Sequence, residues 1–257
     1  MQTLFSPAGE AAMHEALSLR PLLALDFDGT LAPIVGDPSA ARASARTAEV
    51  LSRLVRQLPV AIVTGRAVAD VVGRLGFNPQ FVVGNHGAEG LPGTDLRDLP
   101  PELDLWRARI MGDFRAQLEQ AGVMIEDKGH SMSFHYRHAP DREAARDAIH
   151  AAIRALQPAP RVIGGKCVIN LLPADAPDKF RAVSTLLRIS ACGSVIFAGD
   201  DLTDDVVFEH APAHWLTIRV DEKPGSRARF SLSGQHQVLS FLERLEAMTA
   251  TSMLSPD

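Results

Sequence analysis

The feature that most constrains this chain is a repeated form. A short run of largely apolar residues stops abruptly on a carboxylate, a hydroxyl or a glycine. LLAL (22–25) stops on DFDGT, VAIV (60–63) on TGR, FVV (81–83) on GNHG and VIFA (195–198) on GDDLTDD, and LTIRV (216–220) is a fifth run. A run apolar at nearly every position has two faces to bury, as do strands of a covered parallel sheet. Between the first two runs, Val50, Leu51, Leu54, Val55 and Leu58 recur at helical spacing. Another short helix is expected near residues 204–210. Strand, helix, strand in repetition predicts an open α/β sheet with right-handed crossovers.

The middle of the chain breaks this rhythm. Leu103, Trp106, Ile110, Phe114 and Leu118 form one helical stripe, and Ala145, Ile149, Ala152 and Leu156 form another. In SMSFHYR, Met132, Phe134 and Tyr136 take one face of a strand, while Ser131, Ser133, His135 and Arg137 take the other. RVI and KCVINLL follow, with the hairpin turn expected at Gly164 and Gly165. These elements predict a small α+β domain, residues 105–172, set into a core domain of residues 1–104 and 173–257.

Composition narrows the function classes. The chain has 257 residues, 46 % hydrophobic and 22 % charged, which suits a folded protein with a sizeable core. A net charge of −5 offers no general attraction for nucleic acid or an anionic membrane. The N-terminus lacks a basic segment followed by an apolar one, and no run approaches a membrane span, so a cytoplasmic setting is expected. Cys167 and Cys192 each sit in apolar surroundings and read as small buried hydrophobes. His130 and His138 read as solvent-facing, and residues 248–257 as a frayed end.

In open α/β sheets, ligands bind beyond the carboxyl ends of the strands. If the strands before Asp26 and Asp200 are neighbours, three to five acidic groups converge, and unpaired buried charge is costly. A hard divalent cation, Mg²⁺, answers that crowding, and no Cys or His cluster argues for zinc. Asp26 can attack phosphorus, and Asp28 can protonate a leaving alcohol and then activate water. Thr64 offers a hydroxyl, Gly29 allows close backbone approach, and Lys179 follows Pro177 and Asp178 at a helix start. Singly each has a plainer reading. DFDGT alone fits a turn or helix cap, Lys179 a solvated helix turn, and GDDLTDD an acidic helix start.

Taken together, DFDGT, Thr64, Lys179 and GDDLTDD resemble the haloacid dehalogenase superfamily of phosphotransferases. The resemblance implies a Rossmann-like core with an inserted α/β cap. It makes Asp26 the nucleophile and Asp28 the general acid and base, with Thr64 and Lys179 on the phosphoryl group. Mg²⁺ would be held by Asp26, the Asp28 carbonyl and Asp200, with Asp201 or Asp204 acting through a water of its hydration shell.

The inserted strand offers Glu126, Lys128, Ser131, Ser133, His135 and Arg137, a mixed donor and acceptor set suited to a hydroxyl-rich sugar. No aromatic stripe is available to stack a base, and Tyr136 is the only tyrosine. DFDGTLAPI, TGR, GNHGAE, EDKGHSMSFHYR and GDDLTDD together are similar to the trehalose-6-phosphate phosphatase family. That likeness implies sugar contacts from Glu126, Lys128, Ser131, His135 and Arg137, with Arg66, His86 and Glu89 also near the sugar. It departs at Asn170, where the family often has Glu, and at Phe180, where it often has Gly. The function that the likeness implies is Mg²⁺-dependent hydrolysis of trehalose 6-phosphate through an aspartyl-phosphate. Hydrolysis of sucrose 6-phosphate or a hexose phosphate, a phosphomutase and a non-catalytic sensor remain as alternatives, and the oligomeric state is left open.

Overall fold

The computed structural model describes residues 1–94 and 99–252. Its strands are β1 (Gln2–Thr3), β2 (Pro21–Leu25), β3 (Val60–Val63), β4 (Phe81–Val83), β5 (Met124–Asp127), β6 (Met132–His135), β7 (Arg161–Gly165), β8 (Val168–Leu172), β9 (Ser194–Gly199), β10 (Leu216–Val220) and β11 (Phe230–Leu232). The helices are α1 (Pro7–Ser18), α2 (Ala45–Leu54), α3 (Val68–Leu75), α4 (Pro101–Arg109), α5 (Arg115–Gln120), α6 (Arg142–Arg154), α7 (Lys179–Ile189), α8 (Asp205–His210) and α9 (Val238–Ser252). None of them is long and apolar enough to cross a membrane. The frayed end expected at 248–257 extends past the described residues.

The chain divides into two compact units, Met1–Gly93 with Pro177–Asp257, and the inserted Thr94–Ala176. The inserted unit is wider than the 105–172 expected from sequence. Its first helix begins at Pro101, where a missing N–H costs nothing. At the other end, Arg161 Nη1 donates to Ala176 O at 2.7 Å and ties the outgoing segment to β7.

The larger unit carries a seven-stranded parallel sheet in the order β1-β11-β10-β9-β2-β3-β4. Its continuous apolar strands separate cleanly by side-chain parity. Leu23, Leu25, Val60, Ile62, Ile196 and Ala198 enter one apolar cluster with Met13, Leu51, Val71 and Phe241. Leu22, Ala24, Ala61, Val63, Val195 and Phe197 enter another with Val183, Leu186 and Phe208. Both sheet faces are therefore covered by helices, which is why no polar alternation shows in the sequence.

The inserted unit is an antiparallel sheet, β5-β6-β8-β7, with its own apolar core. Leu103, Trp106, Ile110, Leu118, Phe134, Ile149 and Leu156 are all buried in it. The stripe from Trp106 onward repeats every four residues, longer than an α-helical turn. Residues Ile110–Phe114 relax into π-helical geometry, whose wider turn keeps that spacing on one side. The expected hairpin turn moves. Gly164 and Gly165 lie inside β7, and the register pairs Gly165 with Val168, leaving Lys166 and Cys167 as the two-residue turn. Cys167 takes a left-handed φ of 64° there and is only partly buried, as is Cys192. The expectation of two core cysteines is thus corrected by a turn that needs a positive φ and by a helix-end position at Cys192.

Candidate active site

The order of the sheet creates the site. From β2 the chain proceeds outward to β3 and β4, and after the insertion it returns at β9 and proceeds the other way to β10 and β11. Strands β2 and β9 are thus neighbours at the topological switch point, where a crevice opens beyond the strand ends. Leu25 pairs with Ala198, and the Asp26 N–H donates to Ala198 O at 2.9 Å. Asp26 and the loop opening at Asp200 leave the sheet side by side. On the other flank Leu25 pairs with Ile62, so Thr64 emerges from β3 one residue beyond the level of Asp26.

A buried charge cluster fills this point. Lys179 Nζ donates to Asp26 Oδ1 at 2.8 Å and to Asp204 Oδ1 at 2.7 Å. Lys179 is 2 % exposed, Asp26 4 % and Asp204 0 %. Lys179 opens α7 as its first residue because Asp178 caps the helix, its carboxylate accepting from Arg181 N at 2.8 Å. The solvated alternative for this lysine therefore does not hold. Burial acts against its ammonium, but Asp204 and Asp26 outweigh that and raise its pKa. Burial drives the Asp26 carboxyl well above the usual range despite Lys179, with Asp204 and Asp200 adding to the rise. Burial and Asp204 push Asp200 up to about 7.

One ammonium does not balance these carboxylates. Oxygens of Asp26, Asp200 and Asp204 all lie within 4.8 Å of one another. Asp200 Oδ1 is buried with no hydrogen-bond donor. An orphaned carboxylate oxygen beside two further carboxylates is a donor set for a hard divalent cation. Of the two alternatives at the acidic motif, Asp204 joins this group. Asp201 instead accepts from Leu202 N and donates its own N–H to Asp204 Oδ2 at 2.9 Å.

Gly29 has φ 79°, and a Cβ there would lie 2.0 Å from Asp200 Oδ2. Its N–H is engaged by Ala32 O at 2.8 Å. The glycine thus allows close packing against Asp200. Asp28 turns the other way, into a bidentate pair with Arg66. Burial lowers the Arg66 pKa, but Asp28 and Asp70 overcome this and raise it. Thr64 is buried, and its Oγ1 accepts from Arg66 N at 3.2 Å.

The GNHGAE segment is a tight knot. Asn85 and His86 both adopt positive φ, 49° and 59°, and His86 N donates to Thr64 O at 2.9 Å. The His86 ring packs so close to Gly65 that a Cβ there would sit 2.4 Å from Cε1. Glu89 is buried, with Oε2 accepting from Asn85 Nδ2 at 2.8 Å and from Val68 N at 2.9 Å. Glu89 therefore braces the loop and the start of α3, a structural duty the sequence reading did not assign to it.

In the inserted unit, Glu126 Oε2 lies 2.7 Å from His135 Nε2 and 3.8 Å from Lys128 Nζ. Arg137 donates to Lys166 O at 3.3 Å. Ser131 and Ser133 are buried, and Ser133 Oγ donates to Asn170 Oδ1 at 2.6 Å. Asn170 thus closes a polar pair across β6 and β8. His130 is also buried, contrary to its solvent-facing reading, because its N–H donates to Lys128 O and folds the residue back into the β5–β6 turn. His138 is exposed as expected. Phe180 leaves Lys179 uncrowded: its ring packs 5.5 Å from His210 and 5.8 Å from Trp215. Adjacent helical residues point in different directions, which separates the two side chains.

Two residues escaped the sequence reading. Arg219, nearly buried on β10, donates to Asp200 O, to Asp201 O at 3.0 Å and to Asp205 Oδ1 at 2.6 Å. Asp205, read only as an acidic helix start, is its partner and also pairs with Lys223 at 2.9 Å. The available signal was a lone arginine inside LTIRV, since a charge within a buried strand needs a partner.

A family model described as Trehalose-phosphatase matches residues 24–236. The trehalose-phosphate phosphatase of Mycobacterium ulcerans is 31 % identical over 246 residues, covering 90 % of this chain and 63 % of that protein. The corresponding protein of Mycobacterium marinum is 33 % identical over 251 residues, with the same coverage. The chain thus spans a little under two thirds of the length of these relatives. Among solved structures, a trehalose-6-phosphate phosphatase related protein superposes with a TM-score of 0.74 at 25 % identity, covering 90 % of this chain and 99 % of that one. With the match running from β2 past β11, through every residue of the buried cluster, the chain belongs to the trehalose-phosphatase family.

Proposed function

We propose that this chain hydrolyses trehalose 6-phosphate to trehalose and phosphate, with Mg²⁺ as its metal, as a step of trehalose biosynthesis. The observation that carries the chemistry is the buried cluster of Asp26, Lys179, Asp204 and Asp200 at the switch point. Family membership and the mycobacterial relatives support the choice of ester. The metal, held by Asp26, Asp200 and Asp204 and by the Asp28 carbonyl, would supply positive charge against the phosphoryl oxygens.

The protein's own groups divide the work. Asp26 forms the bond to phosphorus, giving an aspartyl-phosphate, while the ester bond breaks toward the sugar oxygen. Asp28 gives that oxygen its proton. Water then attacks the phosphorus, Asp28 takes the water's proton, and Asp26 is released with free phosphate. Lys179 fixes the Asp26 carboxylate and meets negative charge on the transferring group, and the Thr64 hydroxyl supplies a neutral donor. Sugar recognition in this reading falls to Glu126, Lys128, Ser131, His135 and Arg137, with His86 also near the sugar. Glu126 paired with His135 and Lys128 presents charged donors and an acceptor together, which suits neighbouring hydroxyls.

The partner is a small sugar phosphate, and the net charge of −5 favours no nucleic acid. A cytoplasmic setting belongs to the same reading. The test is phosphate release from a panel of trehalose 6-phosphate, sucrose 6-phosphate and hexose monophosphates with Mg²⁺. Trehalose 6-phosphate is expected to have the highest kcat/KM, and Asp26→Asn to abolish release. A better rate on another ester would move the specificity, a change to which the Ser133 and Asn170 pair would be relevant. Binding without release at saturating Mg²⁺ would make the chain a sensor.

A further inference from the structure

Asp28, the group that must exchange protons with the substrate, is held by a row of charges. Arg66 Nε donates to Asp28 Oδ2 at 2.6 Å and Arg66 Nη2 to Asp28 Oδ1 at 2.7 Å. The same guanidinium donates through Nη1 to Asp70 Oδ2 at 2.7 Å and through Nη2 to Pro38 O at 2.9 Å. Asp70 is in turn gripped by Arg74, whose Nε reaches Oδ1 at 3.0 Å and whose Nη2 also bonds it. Arg74 continues to Ser39 O and to Ala41 O. Asp28, Arg66, Asp70 and Arg74 thus alternate in sign from the turn after β2 to the last turn of α3. Both arginine side chains are 13 % exposed, while that of Asp28 is 42 % exposed.

We infer that Arg66, braced by Asp70 and Arg74, is a positioning residue that fixes the Asp28 carboxyl for proton transfer, and that it acts through Asp28 and not through the sugar. The inference rests on the phosphatase reading above. Four of the five guanidinium N–H groups, or their bifurcated equivalents, face protein acceptors, and two of those contacts clamp both oxygens of Asp28 in one plane. A carboxyl so exposed would otherwise sample several rotamers, and proton transfer needs it within hydrogen-bond reach of the leaving oxygen. When Asp28 carries a proton, one oxygen remains an acceptor. One arm of the fork can then hold while the O–H faces the ester oxygen. In the first step that proton passes to the sugar oxygen as its bond to phosphorus breaks. In the second step a proton from water returns to Asp28.

The test compares an alkyl ester, trehalose 6-phosphate, with p-nitrophenyl phosphate, whose leaving group departs without a proton. kcat/KM contains only the steps up to that departure. Arg66→Gln should lower kcat/KM on the sugar ester by about ten- to a hundredfold, a share of what general acid catalysis contributes, and change it little on p-nitrophenyl phosphate. Asp70→Asn, which leaves Arg66 in place, should shift the ratio of the two in the same direction and less. In an Asp28→Asn background, Arg66→Gln should add no further loss on the sugar ester. Equal losses on both esters, or losses that multiply with Asp28→Asn, would overturn the inference, the second result pointing to a direct sugar contact. If the unaltered chain hydrolyses p-nitrophenyl phosphate and another sugar phosphate but not trehalose 6-phosphate, the comparison runs on that sugar ester and only the specificity reading falls. If it hydrolyses neither class, the phosphatase reading falls and this inference with it.

Discussion

At the scale of single residues, three carboxylates meet one ammonium in a site where Asp26 and Lys179 are nearly shut off from water. Burial and mutual repulsion hold the Asp26 and Asp200 pKa values up, with Asp200 at about 7. The folded chain therefore binds these protons more tightly than an unfolded chain does. Their contribution to stability is full below the ordinary carboxylate range and is lost as pH rises through about 7. With a chelator present, Tm should accordingly fall between pH 6 and pH 8. Added Mg²⁺ should recover the loss, raising Tm more at pH 8 than at pH 6, since it competes with the protons. Asp200→Asn should flatten the chelated profile. A chelated Tm that stayed level or rose across that range would mean the carboxylates are not crowded as the geometry has them.

Among the elements, β10 does more than fill the sheet. Its Arg219 grips two carbonyls and one carboxylate of the segment that carries Asp200 and Asp204, so it fixes where those carboxylates point. Arg219→Met keeps the length and apolar stem of the side chain but removes the donors. It should weaken Mg²⁺ affinity by roughly 10- to 100-fold, as losses of groups that orient metal ligands do, with the circular dichroism spectrum unchanged. Calorimetric titration with Mg²⁺ reads this directly, and an unaltered affinity would reduce Arg219 to packing. The strands beside this loop were legible because each is an apolar run ending in a chemically distinctive residue. Arg219 was not, because its partners lie in another segment and nothing in LTIRV names them. The same limit applies to Glu89, whose bonds to Asn85 and Val68 form only once the loop folds. Strand β1, two residues long, carries no period to read. The β7–β8 turn misled because glycine permits a turn without requiring one, and the register set by Asn170 opposite Ile163 moved it two residues on. The meeting of Asp26 and Asp200 was legible because adjacency of two strands was the one assumption it needed, and the parallel pairing of β2 with β9 supplies it, whereas Lys179 was read from its place at a helix start.

The whole molecule is two units with separate apolar cores, and its two tryptophans fall one in each. Trp106 lies in the core of the inserted unit, with Nε1 donating to Pro158 O at 2.8 Å. Trp215 lies with Phe197 in a core of the larger unit. No residue of the inserted unit belongs to either cluster of the larger one. Each tryptophan alone, with the other replaced by Phe, therefore reports the unfolding of its own unit. Phe134 is fully buried in the same core as Trp106, and Phe134→Ala should cost about 3–5 kcal/mol through lost burial and the cavity left. In urea, the transition followed by Trp106 should move by that amount while the one followed by Trp215 stays nearly where it was. Phe197→Ala should do the reverse. If both probes shift together in either variant, the units unfold as one cooperative body, and the separation of cores is geometric without being energetic. The independent outcome has a consequence for the site: substitutions in the inserted core should then leave the Asp26 cluster folded, which Mg²⁺-induced stabilisation of the Trp215 transition would register.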